Sequence, residues 1–340
     1  MGWLLAAAVL CVHFRITGGD GAPAGAGTGT GFLPAYTARV IDMSERMSST
    51  ASLALDRLTI STMTTLVATS VIIPLENNQA LHVLDFKGQG KLPPVVLLHG
   101  ISSCASDYYP IIRQLQQHSS RVIAVDLPGH GQTIANANQT LSQLETLMVT
   151  SLRACLKKLG VGKPILLGNS LGGFVGAKYA SQYSRSLHSL ILISPAGAPL
   201  SRSELVNIRR LFNVTTLGDA TTFLETVLGG QSRLPFGLRQ LVGWACRERT
   251  RRPAVQRILQ EATIQNRLSE EEVNAITCPI LLLWGQEENV FGTSQLEWFL
   301  RHLPPRSLSL VRPKGVGHIP HLDAATVTET IVDFIKNNQD

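Results

Sequence analysis

From about residue 65 onward, short apolar runs alternate with stretches whose apolar positions recur every three to four residues. The runs fall at 66–75, 80–86, 94–99, 121–126, 164–168, 188–194, 279–284 and 307–312. The helix-like stretches fall at 106–118, 140–158, 171–184, 292–302 and 323–338. The later runs are nearly continuous Val, Ile and Leu, the pattern of strands buried on both faces of a parallel sheet. Strand-helix alternation then predicts an α/β fold: a doubly wound, mostly parallel eight-stranded sheet with helices on both faces.

The alternation breaks once. Between Ser194 and Pro279 lie about 80 residues without a strand-like run, and 202–213, 218–229, 235–247 and 253–267 have helical periodicity. An insertion after the sixth strand predicts a helical cap over the carboxyl edge of the sheet, where open α/β sheets bind ligands. The expected division is an N-terminal segment and linker at 1–64, a first core part at 65–197, the cap at 198–274 and a second core part at 275–340.

Composition adds little to this until it is localised. With 340 residues, 44% hydrophobic and 16% charged, the chain has enough apolar material for one large core. The net charge is +6. Residues 198–267 hold eleven arginines, no lysine and five acidic residues, an excess equal to that of the whole chain. That predicts either a solvated helix face or attraction to an anionic lipid surface or acidic substrate. No nucleic-acid module is evident, so no nucleic-acid partner is expected. The five cysteines (Cys11, Cys104, Cys155, Cys246, Cys278) show neither C-x-x-C nor metal-ligand spacing, which predicts scattered thiols and no metal.

Trp3 to Phe14 is an apolar run too short to span a bilayer but of signal-sequence length. Residues 18–34 carry seven glycines and read as a linker. With sequons at Asn138 and Asn213, secretory or membrane-associated targeting is expected ahead of a plain cytosolic extension.

Chemistry gathers at the predicted strand ends. Ile165-Leu166-Leu167 runs into Gly168-Asn169-Ser170-Leu171-Gly172, and a helix-compatible segment follows at once. This is G-x-S-x-G between strand and helix, a turn that thrusts a serine hydroxyl out at the top of a sheet. Gly168 and Gly172 are expected to be glycines because a side chain at either would meet a neighbouring strand or helix. Four more motifs follow other strands: His99-Gly100-Ile101, Asp126-Leu127-Pro128-Gly129-His130-Gly131, Trp284 to Asn289, and Gly315 to Asp323. The backbone N–H groups of Ile101 and Leu171 are placed to share an oxyanion. A hydroxyl needs a base to become nucleophilic, and the base needs a carboxylate to fix its tautomer.

With HG at 99–100, DLPGHG at 126–131, GNSLGG at 168–173, CPILLLWG at 278–285 and GHIPHLD at 317–323, the chain resembles the α/β-hydrolase superfamily over about residues 65–340. GNSLGG and Ser194–Gly197 look most like its monoacylglycerol-lipase-like hydrolases and its C–C bond hydrolases of ring-fission products. The resemblance implies Ser170 as nucleophile, His318 as base and Glu288 as acid, with adjacent Glu287 the competitor. The commoner acid is an Asp three residues after the strand-end glycine. His99, Gly100 and Asn169 are expected beside the substrate, a small molecule or lipid ester is expected as that substrate, and no cofactor is expected. The alternatives are C–C hydrolysis of a dienoate, which needs a cationic clamp, and a catalytically weak ligand-binding member of the fold. His99 and His130 are expected to brace their loops.

Overall fold

The central strands form where the sequence is most uniformly apolar, since these segments lose both faces to the interior. The computed structural model describes residues 69–75, 79–136, 138–229, 243, 245–263, 268–319 and 324–338. The N-terminal segment at 1–64, most of the stretch 235–244 and Pro320–Asp323 lie outside these residues.

Eight strands make one sheet: β1 (Thr69–Pro74), β2 (Ala80–Lys87), β3 (Val95–Leu98), β4 (Arg121–Val125), β5 (Ile165–Asn169), β6 (Ser189–Ile193), β7 (Ile280–Leu283) and β8 (Leu308–Val311). Their order is β1-β2-β4-β3-β5-β6-β7-β8. β1 with β2 and β2 with β4 pair antiparallel, and every other pair is parallel. All residues of β3, β5, β6 and β7 are buried. β8 is different: it is an edge strand, and its residues are half-buried or exposed.

Alternation along the strands sends side chains to two cores. Val96, Leu98, Leu166, Leu190 and Leu282 pack against α2 (Leu141–Lys158), α3 (Leu171–Tyr183) and α8 (Thr293–His302). Val95, Leu97, Ile165, Ile191 and Leu281 pack against α1 (Tyr109–His118) and α9 (Ala324–Lys336).

Between β6 and β7 the chain forms α4 (Arg202–Phe212), α5 (Leu217–Val227), a helical stretch at 245–250, α6 (Pro253–Glu261) and the short α7 (Glu270–Asn274). Ser201 with Glu204 and Thr216 with Asp219 form capping boxes at the starts of α4 and α5. Phe212, Phe223, Leu224, Val227, Val255 and Leu259 give this insert a core of its own. The helix predicted over 253–267 is corrected: it ends at Glu261, where Ala262 turns to φ −57°, ψ 126°. The Arg209 guanidinium takes the carbonyls of Leu259, Gln260 and Ala262 at 2.7–2.9 Å, which satisfies the end of α6 without another turn. Among the described residues no helix is long and apolar enough to cross a membrane. Cys104, Cys155, Cys246 and Cys278 are free thiols.

Asp126 sets the carboxyl edge. It follows β4, is fully buried, and accepts from Ala105 N (2.7 Å), Gln132 N (2.8 Å) and His82 Nδ1 (2.7 Å). Burial raises its pKa, but the hydrogen bond and charge of His82 and the further donors hold it below the ordinary carboxylate value. Asp126→Asn would turn an N–H toward one of these donors and strand a buried amide. The expected loss is about 2–4 kcal/mol of folding stability, read from the denaturant midpoint at unchanged m-value.

Candidate active site

Ser170 leaves β5 for α3 at φ 53°, ψ −114°, a conformation that costs a non-glycine residue about 1–3 kcal/mol and persists only where its neighbours enforce it. The neighbours are close. A Cβ on Gly168 would come within 2.2 Å of the Gly172 carbonyl oxygen, and one on Gly172 within 2.0 Å of the Leu98 carbonyl oxygen. The two glycines let strand, turn and helix pack at backbone contact. Ser170 N donates to the Ile193 carbonyl (3.0 Å), and its carbonyl accepts from Phe174 N and Ala196 N, both at 3.0 Å.

His318 and Glu288 meet on a loop that the side chain of Asn169, next to Ser170, holds by the His318 carbonyl. His318 Nδ1 donates to Glu288 Oε2 at 2.7 Å, and both side chains are nearly sealed from solvent. Glu288 Oε1 accepts from Val290 N (2.7 Å) and Phe291 N (3.0 Å), so the longer acid is folded back onto its own loop. Burial raises the pKa of Glu288, but His318 together with hydrogen bonds from Ser194 and Phe291 outweighs it and holds the carboxyl below its ordinary value. The imidazole is thereby fixed with its proton on Nδ1, leaving Nε2 as the acceptor. Glu287 points elsewhere: its Oε2 accepts from Val316 N at 2.9 Å and so braces the loop that carries His318.

The strand-end loops also bring up the other residues named from sequence. Ile101 and Leu171 line the same cleft as Ser170. Leu171 is the first residue of α3, so its N–H has no partner within the helix. A Cβ on Gly100 would lie 3.3 Å from the Ser170 Cβ, so only a small residue allows this approach. His99 and Asn169 are engaged with backbone groups. His99 is wholly buried, with Nδ1 donating to Gly100 O (2.8 Å) and Nε2 accepting from Leu127 N (3.0 Å), so no ring nitrogen remains for a ligand. Asn169 is buried, and its Nδ2 donates to His318 O (2.9 Å) and Ile193 O (3.1 Å), which ties the serine turn to the histidine loop.

Sequence reasoning missed the contribution of the insert. Val227 O, at the end of α5, accepts from His318 N (2.9 Å) and Ile319 N (3.3 Å). Gly229 follows at φ 74°, where a Cβ would lie 2.7 Å from the Glu287 Cβ. The Gly229-Gly230 pair after a helical run was the available signal. Phe291 stands edge-on to the His318 ring, with centroids 5.1 Å apart, and also lines the cleft. That cleft has a cavity volume of about 130 Å³, and its lining is mostly aliphatic and aromatic. Leu144 and Met148 of α2, Phe174 of α3, Ile208 of α4 and Ile258 of α6 give it that character. Glu145 and Arg209 also line it.

Residues 93–325 match the family model described as alpha/beta hydrolase fold. The pimeloyl-[acyl-carrier protein] methyl ester esterase of Nitrosomonas europaea is 25% identical over 241 residues, which cover 68% of this chain and 91% of that protein. The monoacylglycerol lipase ABHD6 of Mus musculus is 24% identical, over 74% of this chain and 78% of that protein. Among solved structures, a bacterial membrane phospholipase A superposes with a TM-score of 0.70 at 22% identity, covering all of both chains.

Two buried imidazoles below the site make folding pH-dependent. Burial holds the pKa of His99 down and lowers that of His130 from 6.5 to about 3. Between those limits the unfolded chain binds more protons than the native one, so stability rises with pH and falls on acidification from 6.5 downward. The urea midpoint is expected to fall between neutral pH and about pH 4.5, and His130→Asn to make that fall shallower.

Proposed function

The chain belongs to the alpha/beta hydrolase fold family, and from that premise we propose that it is a serine-dependent carboxylic ester hydrolase for substrates with a neutral hydrocarbon acyl chain, monoacylglycerols among them. The observation that carries this reading is the 2.7 Å bond from His318 to a buried, ionised Glu288, on a loop held by Asn169 next to the strained Ser170 of an apolar cleft. Ser170 Oγ attacks the ester carbonyl while His318 Nε2 takes its proton. Glu288 keeps the ring in the required tautomer and stabilises the imidazolium. The oxyanion rests on the N–H groups of Ile101 and Leu171, each worth about 10²–10³ in rate. His318 then protonates the leaving alcohol, and water activated by the same nitrogen releases the acid.

Two features favour a neutral acyl chain over a dienoate. The Arg209 guanidinium in the cleft lining is committed to three backbone carbonyls, so it is no free clamp for a carboxylate. Glu145 lines the same cleft, and its carboxylate would repel a second one. The esterase and lipase among the relatives support ester chemistry. Association with a membrane surface fits a lipid substrate, and the apolar lining of the cleft favours such a substrate.

Ser170→Ala is expected to abolish both ester turnover and labelling by a fluorophosphonate. Glu288→Gln should lower kcat by about 10²–10⁴-fold, while Glu287→Gln should lower the thermal midpoint more than kcat. Ester turnover that survives Ser170→Ala would refute the reading. The wild-type protein should prefer medium-chain p-nitrophenyl esters to ω-carboxylated ones of equal length, and Glu145→Gln should narrow that preference in kcat/KM.

A further inference from the structure

The arginine excess of the insert has a specific use at one position. Arg249 lies in the helical stretch 245–250 and is 8% exposed. Its Nη1 donates to both carboxylate oxygens of Asp107, at 3.0 and 2.8 Å. Asp107 belongs to the 3₁₀ turn Ala105–Tyr108, which follows the His99–Ile101 loop. The same carboxylate accepts from Ser103 Oγ (2.6 Å) and Cys104 N (3.3 Å). Ser103 N in turn donates to Gly100 O at 3.2 Å, closing a turn around Ile101 and Ser102. Ser102 sits at φ 59°, a left-handed conformation that a serine holds only under constraint. The backbone between Gly100 and Cys104 is thus held from below by one carboxylate, whose counter-charge comes from the insert.

We propose that Arg249 is a positioning residue: through Asp107 it sets the orientation of the Ile101 N–H, so that the insert must be seated for the oxyanion site to be complete. This rests on the reading of Ile101 as an oxyanion donor. Removing the guanidinium leaves the Asp107 carboxylate without its buried partner, and the carboxylate then turns toward solvent. Its bonds to Ser103 and Cys104 go with it, Ser102 relaxes from positive φ, and the Ile101 amide rotates. Arg249 touches no substrate, and the loss falls on the transition state. Displacements of about 1 Å at such a donor cost up to about 10² in rate.

The test compares wild type, Arg249→Gln, Arg249→Lys, Asp107→Asn and the Arg249→Gln/Asp107→Asn pair on a soluble short-chain ester. Arg257→Gln is the control, because Arg257 pairs at 3.1 Å with Glu261 on its own helix. Arg249→Gln is expected to lower kcat about tenfold or more with KM nearly unchanged. Lys should recover part of kcat, the double variant should be no slower than the slower single one, and Arg257→Gln should match wild type. Deuterium uptake by residues 99–108 should accelerate in Arg249→Gln at a temperature where the protein stays folded. A lowered thermal midpoint with kcat and uptake unchanged would overturn the proposal, as would losses in the two single variants that multiply. If the wild type cleaves no ester, the hydrolase reading is the one that fails, and the uptake measurement alone decides whether Arg249 holds the loop.

Discussion

A serine held at φ 53° is the constraint on which the other features depend. The turn is unfavourable in isolation and exists because β5 and α3 approach at backbone contact, with Gly168 and Gly172 at the two tightest points. That approach fixes where α3 begins, and so fixes the Leu171 N–H. It also sets the gap into which Gly100 and the end of β3 must fit. Tyr108 supports that end from the opposite face, donating to the Leu98 carbonyl at 2.8 Å. The strain is thus distributed into a sheet core whose central strands are fully buried.

Glu288 and His318 depend on a second set of constraints, most of which come from the loops and the insert. Glu288 is one methylene longer than an aspartate. Its carboxylate still reaches His318 because Val290 N and Phe291 N draw the other oxygen back over the loop. The His318 loop is held on one side by Asn169, next to Ser170, and on the other by the Val227 carbonyl of the insert. A helical insert therefore contributes backbone to the site as well as side chains to the cleft wall.

Three of the eight described arginines of the insert anchor it to the rest of the molecule or close its helices. Arg209 closes the end of α6, Arg249 holds Asp107, and Arg252 donates to the Gly131 carbonyl at 2.9 Å. Arg249 and Arg252 grip loops that follow β3, the neighbour of β5, and β4, one strand further out. Arginine suits this task because its planar fork satisfies several acceptors at once and is more weakly hydrated than an ammonium. A local excess of like charge need not indicate an anionic partner when carbonyls and buried carboxylates face it.

Much of this was legible along the chain. Buried parallel strands read as unbroken apolar runs, and the G-x-S-x-G turn, the His99-Gly100-Ile101 loop and the order of Ser170, Glu288 and His318 are local signals at strand ends. The glycines at 168 and 172 could be assigned a steric reason before any contact was visible. What sequence could not decide was direction and partner. Glu287 and Glu288 are chemically alike neighbours, and only the course of their loop turns one toward Val316 N and the other toward His318. His99 sits in a motif that suggests substrate contact, yet both its nitrogens are taken by backbone groups, one of them 28 residues away. Arg249 and Asp107 are separated by 142 positions, and nothing in either segment names the other. Sequence by itself determined the layers, the chemistry at each strand end and its order. The tertiary structure decided which carboxylate serves the histidine, which histidines are sealed, and where the arginines of the insert are anchored, because these follow from long-range packing that leaves no periodic trace in the chain.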